Sequence, residues 1–554
     1  MTSAILSGNH PPGEDTHMKM TRAASTLAVS LVIALIVAAC ASMSGGGTSL
    51  VTRGVQAQGG ADALASVKTV SQKATVRNWE PEQSMVAGGE MRFANESALV
   101  MDTDVSARAT RMDWVRKYEY PAPRSYTFSE IVTAEAGYVA GIDSSGRNKQ
   151  SQESNPPAHS MSSLRLAAVQ RELLRTSPVL LLEMSKNPDR VAATGDVTMG
   201  GASYPAVTYR AGNQTFTVMF DRATGLPARV RTLDYDNIWG DVTYDLVLAD
   251  WQVVEGVRVA TSQKYELNGR TVVDAKLTEV KINAPVAADR VAIPAAFREG
   301  AAGPADRNVP YQWVIRRQFI GTYLDSEAPS FDRRATGSLR LVELAPGVQH
   351  VVGGSHNSLV VAMKDSVVVF DSPVSDWQSN WTLSAIRAKY LGKPVKYLVL
   401  THHHMDHAGG LRAYAAAGAT LVVGKGTSEH YRRVLAAPYT RNPDLAPPQD
   451  LSRTPIVEVA DRYAIIDGQR EVQVFAIEPN PHAQGLLIGY VPDAKLAFAT
   501  DIWSPGAGPL PDKLTPALAA LVAGVKKAGI QPDKFAGGHG STGDYAPLAA
   551  LEGK

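Results

Sequence analysis

The run Leu400-Thr401-His402-His403-His404-Met405-Asp406-His407-Ala408-Gly409-Gly410 constrains this chain more than any other stretch, because it crowds four imidazoles and a carboxylate into six residues. The residues before it, Val395 to Leu400, are apolar and partly β-branched, the pattern of a short buried strand. Side chains two apart on a strand point the same way, so His402 and His404 should leave its end together while His403 faces elsewhere. Asp406 and His407 then fall in the following turn, and Gly409-Gly410 permits a closely packed entry into the next helix. Imidazole and carboxylate without thiolate make a ligand nest suited to zinc and also usable by iron or manganese.

Three more potential ligands follow, His482, Asp501 and His539, enough with the first group to hold two ions. Of the 12 histidines in 554 residues, five fall in these positions. The surroundings are as ordered as the ligands. Ser366-Val367-Val368-Val369-Phe370-Asp371 is a strand ending in an aspartate, Leu496-Ala497-Phe498-Ala499-Thr500-Asp501 is another, Pro481-His482-Ala483-Gln484-Gly485 is a histidine turn, and Gly537-Gly538-His539-Gly540 is a glycine-flanked loop. These five motifs, in this order, resemble those of the metallo-β-lactamase fold superfamily with its His-x-His-x-Asp-His signature.

The resemblance implies that His402, His404 and His482 bind a first metal, Asp406, His407 and His539 a second, and that Asp501 bridges them. It implies an αβ/βα sandwich with ligands on loops along one edge, and two ions, zinc by expectation. Two metals about 3.5 to 4 Å apart bring a bridging water toward a neutral pKa and polarise a substrate oxygen, so a metal-dependent hydrolase attacking through a bridging hydroxide is expected. The bond is that of an ester, lactone, thioester, amide or related group in a small molecule. Asp406 is the expected catalytic residue, ligating the metal and orienting the nucleophile. His403 is expected to pack or support and Asp371 to be structural or to support a ligand, while His356 and His430 are expected first as ordinary turn or loop histidines, with lining the cleft the alternative for His356 and approach to the site that for His430. Diiron oxygen-reducing members usually carry Glu where this chain has His404, and the thiolate of one β-lactamase group is absent because the sole cysteine is Cys40. Two alternatives stay open: a mononuclear iron sulfur dioxygenase, and a lipoprotein that binds a lipid or apolar ligand and carries a vestigial site.

At the N-terminus Lys19 and Arg22 precede a thirteen-residue apolar stretch, Leu27 to Ala39, interrupted only by Ser30, and Val37-Ala38-Ala39-Cys40 closes it. That stretch is short for a bilayer span and has the charged start and small-residue end of a secretory signal. It resembles a bacterial lipoprotein signal, which implies acylation of Cys40 and membrane attachment through that lipid; plain cleavage after the alanines is the alternative. Ala41 and Ser42 after the cysteine imply a periplasm-facing lipoprotein of the outer membrane. Translation can start at Met18 or Met20 rather than Met1.

The expected organisation is a signal over 1–39, a tether over 40–49, an N-terminal β domain over 50–298, a linker over 299–335 and the metal-binding domain over 336–554. The class is α+β. Alternation in Phe216 to Phe220, a turn at Asp221 to Pro227 and alternation again to Leu233 make a β-hairpin, and Val242 to Leu248, Val257 to Leu267 and Val272 to Ile282 extend it into an antiparallel meander. One helical stretch, Ser160 to Met184, is interrupted at Pro178. Strands curled over a helix loosely resemble the half-barrel of periplasmic lipoprotein carriers, implying either an apolar cradle or a spacer. A net charge of +1 without a basic block argues against nucleic acid as a partner. Specificity is expected from Gly424 to Pro455, rich in proline, and from the N-terminal domain.

Overall fold

The computed structural model describes residues 46–143, 156–212, 214–298, 339–354, 356–441 and 450–553. The expected signal over 1–39, Cys40, the expected linker over 299–335 and residues 336–338 lie outside the described residues. Among the described residues, no helix is long and apolar enough to cross a membrane.

Residues 46–58 form a helix, so the end of the expected tether, 46–49, is helical rather than flexible. The reason is packing: a side chain on Gly47 would meet the backbone of Ala193 at 2.9 Å, and Val51 and Val55 are buried in the core beyond it.

The N-terminal half is a single 13-stranded sheet in which every neighbouring pair is antiparallel and the first strand, Thr69–Glu80, pairs with the last, Arg270–Ile282. The expected hairpin is there, Gln214–Phe220 against Pro227–Asp236. The helical stretch resolves into Ser163–Thr176, capped by the Ser162 side chain, and Leu180–Lys186. The break falls at Ser177 to Val179, around the proline. Leu166, Ala168 and Val169 of the longer helix pack on Val76, Trp114, Phe128, Tyr244 and Val273, which come from both arms of the sheet. The sheet therefore wraps the helix.

In the C-terminal half, a 7-stranded mixed sheet faces a 6-stranded mixed sheet. Val361, Val368, Phe370, Val399 and Val422 of the first interdigitate with Val472, Val474, Leu487, Leu496 and Phe498 of the second. Helices Asp376–Lys389, Leu411–Ala416 and Ser428–Ala436 cover the outer face of the first sheet, and Pro516–Ala528 and Tyr545–Ala549 that of the second. This is the αβ/βα layering expected. Strands Val367–Phe370 and Val395–Val399 run parallel, as do Leu496–Ala499 and Lys534–Gly537, so their C-terminal ends meet at one edge. Asp371, Thr401, Asp501 and Gly538 follow those ends directly, which is how residues far apart in sequence converge.

Candidate metal centre

The site is framed by two aspartates in strained backbone. Asp371 (φ 60°) and Asp501 (φ 53°) occupy the left-handed region that side chains other than glycine seldom adopt, each just past a strand end. Asp371 is fully buried and accepts from Thr401 N (2.8 Å), Thr401 Oγ1 (2.9 Å) and His407 Nδ1 (2.8 Å). That fixes the tautomer of His407 and leaves its Nε2 facing the cluster. Because the single Thr401 hydroxyl proton goes to Asp371, the same oxygen, 3.2 Å from His402 Nδ1, can only accept from it, so His402 also presents a bare Nε2. His404 works the other way round: its Nε2 donates to the Ser84 carbonyl (2.9 Å), and Nδ1 is turned inward. The turn between them is tight enough that a Cβ on Gly409 would meet Val374 O at 2.1 Å, and one on Gly410 would meet Ser379 Oγ at 2.0 Å.

The structure brings all seven expected ligands together. His402, His404 and His482 form one group, with His482 Nε2 lying 3.2 Å from His402 Nε2 and 3.0 Å from His404 Nδ1. Asp406, His407 and His539 form a second, joined by His356. Asp501 stands between them, 2.7 Å from His407 Nε2 and 3.5 Å from His402 Nε2 through Oδ2, and 3.0 Å from His539 Nε2 through Oδ1. Two nitrogens each about 2.0–2.1 Å from a tetrahedral ion lie about 3.3 Å apart, so this spacing fits metal coordination. Asp501 Oδ2 is also buried among the ring nitrogens of His407, His402 and His482, a setting that an ion would complete.

The electrostatics suit a cation as well. Burial and neighbouring imidazoles hold His402 and His404 well below the usual histidine range, the neutral form that ligates. Burial opposes charge on Asp406 and Asp501, yet their histidine neighbours hold both well below the carboxylate range. Burial likewise opposes charge on His407, but Asp501, Asp406 and Asp371 raise its pKa well above the ordinary value, so the carboxylates favour positive charge at Nε2, carried by a proton that a metal ion would displace.

His356, expected first as a turn histidine and otherwise as part of the cleft, stands in the cleft. Its Nε2 is 3.3 Å from Asp406 Oδ2 and its ring 4.4 Å from that of His539, with burial and His539 lowering its pKa to about 4. His403 points away, donating to the Ser84 carbonyl at 2.9 Å and packing on His430 at 5.8 Å between ring centroids. Supporting residues hold the distal loops. Asn480 accepts from His482 N and Ala483 N, each at 2.9 Å. His350 and Asn357 donate to Gly537 O at 2.9 and 3.0 Å, anchoring the His539 loop.

The least expected contributors come from the N-terminal half. The loop 81–91 between strands Thr69–Glu80 and Arg92–Asp104 lies over the cluster. Gln83 Nε2 donates to Asp406 Oδ1 (2.7 Å), Tyr120 OH donates to Gln83 Oε1 (2.5 Å), and Gln484 N donates to Met85 O (2.8 Å). Arg92 sits 4.6 Å from the Tyr120 ring centre and donates to His482 O (3.2 Å). No sequence spacing announces contacts between residues some 320 positions apart, as Ser84 and His404 are.

Residues 351–544 match the family described as the Metallo-beta-lactamase superfamily. No curated protein matches the chain. Among solved structures, a stereoselective inverting sec-alkylsulfatase from Pseudomonas sp. matches at 16% identity and a TM-score of 0.30, over 38% of this chain and 40% of that one. A metallo-beta-lactamase from Pontibacter korlensis matches at 19% identity and a TM-score of 0.29, over 39% of this chain and 100% of that one. A flavodiiron protein from Giardia intestinalis matches at 19% identity and a TM-score of 0.29, over 38% of this chain and 58% of that one.

Proposed function

We propose that the chain is a metal-dependent hydrolase with a dinuclear centre at His402, His404, His482, Asp406, His407, His539 and Asp501, acting on a carbonyl or comparable electrophile in a small molecule. The observation that carries it is the pairing of two ligand groups through one carboxylate, Asp501, which faces imidazoles of both groups. When bound, two divalent ions supply Lewis acidity and bring a water toward a neutral pKa. The residues do the rest. Asp371 and Thr401 hold His407 and His402 in the ligating tautomers, and Ser84 does so for His404. Asp406 keeps one oxygen on Gln83 and turns the other toward His407 and His356, 3.8 and 3.3 Å away, where it can orient a nucleophile and take its proton.

A hydrolase panel of esters, lactones, thioesters, amides and sulfate esters, run beside metal analysis, tests this. Purified protein should hold close to two ions per chain, and Asp406→Asn should lower kcat by roughly 10² or more while the exposed Lys526→Ala does not. A single iron with oxygen-dependent thiol chemistry would replace this reading by the dioxygenase one.

A second reading draws on a cavity of about 700 Å³ between the helix pair and the sheet of the N-terminal half, lined by apolar Leu64, Val105 and Leu173 and by polar Arg108, Glu183 and Lys186 among others. It suits a lipid-like ligand with an apolar body and a polar end. Saturable binding of such a ligand that survives chelation, with no hydrolysis of any panel substrate, would favour it.

A further inference from the structure

We infer that the N-terminal domain completes the metal centre: Gln83 is a positioning residue for Asp406, Tyr120 fixes Gln83, and the Ser84 carbonyl fixes His404. This rests on the metal-centre part of the proposed function and not on hydrolysis.

The argument begins with what a carboxylate ligand needs. Asp406 has two oxygens, and rotation about its side chain exchanges them unless one is held. Gln83 holds Oδ1 through its amide N–H, leaving Oδ2 for the second ligand group. The orientation of that amide is not free either. Asp406 only accepts, so the NH₂ end must face it, and Tyr120 then donates to the carbonyl end. Tyr120 is packed beneath the Arg92 guanidinium, and Arg92 in turn is tied to the backbone of His482. Tyrosine, glutamine and aspartate thus form a relay in series, with every donor matched to an acceptor.

A loop that merely shielded the cluster from water would present apolar side chains. This one directs polar atoms at Asp406 and His404 and at the turn that carries His482. Ser84 O is doubly used, receiving His403 and His404, so the backbone of the loop selects the face of His404 that remains for metal. Removing such outer partners typically costs about 10–100-fold in metal affinity.

The experiment is zinc binding to the full chain, stripped of metal and titrated against a chromogenic chelator, for wild type, Gln83→Ala, Tyr120→Phe and the double variant. Gln83→Ala should weaken the second site by roughly tenfold or more and leave the first unchanged. Tyr120→Phe, which keeps the ring under Arg92, should move the second site in the same direction. The double variant should be no weaker than Gln83→Ala, because Tyr120 acts only through Gln83. Unchanged melting of the metal-free variants shows that they fold. Second-site affinity equal to wild type in Gln83→Ala overturns the inference, as does an effect confined to substrate KM, which would make the amide a substrate contact. Additive losses in the double variant overturn the relay. A wild type that binds two ions and hydrolyses nothing defeats the proposed function while leaving this inference standing.

Discussion

At the residue scale, the contacts behind the clustered side chains decide what a substitution does: Asp371, Thr401 and Ser84 back His407, His402 and His404, whereas Asp501 Oδ2 faces three imidazoles. Asp501→Ala should therefore remove the link between the two groups and drop metal content from about two ions to one, retained by His402, His404 and His482; metal analysis after gel filtration checks this. The seven clustered residues were legible in the sequence because each sits on a strand end or glycine-flanked turn whose local pattern is self-contained. For His356 the sequence left two readings, turn or cleft, because Gly-Ser-His-Asn-Ser fits both, and only the approach of the Asp406 turn and the His539 loop decides between them.

Between elements, the helix Asp376–Lys389 shows what polar burial costs. Asp376 is 2% exposed, and burial pushes its pKa up to about 6 while Arg412, Tyr439 and the Ala413 backbone pull the other way. A folded pKa above the unfolded one, about 3.9, means the native state binds the proton more readily. The penalty is absent below about pH 4, grows as the carboxylate ionises, and is complete above about pH 6. Asp376→Asn should thus gain stability relative to wild type by on the order of 3 kcal/mol between pH 4 and pH 7, read from denaturant melts at both values. A difference independent of pH would contradict it. The elements themselves were readable where periodicity was clear, as in Val257–Leu267 and the strand Gln214–Phe220. The helix at 46–58 was not foreseen, since Gly45-Gly46-Gly47 argues for a tether and only packing against Ala193 overrides it.

Across the whole molecule, sequence suggested two cores joined by a linker, and the structure joins them at two further places. One is the loop 81–91 on the metal cluster. The other is Arg412, 5% exposed, which donates to the carbonyls of Asn237 (2.5 Å) and Ile238 (3.0 Å) in the N-terminal half and to Val434 O (2.7 Å) in its own. Asp241 N beside it donates to Pro438 O (2.6 Å), and Thr440 and Arg441 donate back to the Asp241 carboxylate. Pairings of this kind need both halves folded, so no local pattern in either half could reveal them. They also make the halves thermodynamically coupled: an ion that binds only the assembled cluster stabilises everything the cluster is bonded to. Hydrogen exchange should therefore slow on zinc binding in 81–91 and in 480–485 together, through Ser84, Arg92 and the Gln484–Met85 bond, while the hairpin Gln214–Phe220 with Pro227–Asp236, which makes none of these contacts, keeps its rate. If the loop over 81–91 exchanged equally fast with and without metal while 480–485 became protected, the two halves would be neighbours in space but not coupled through the centre.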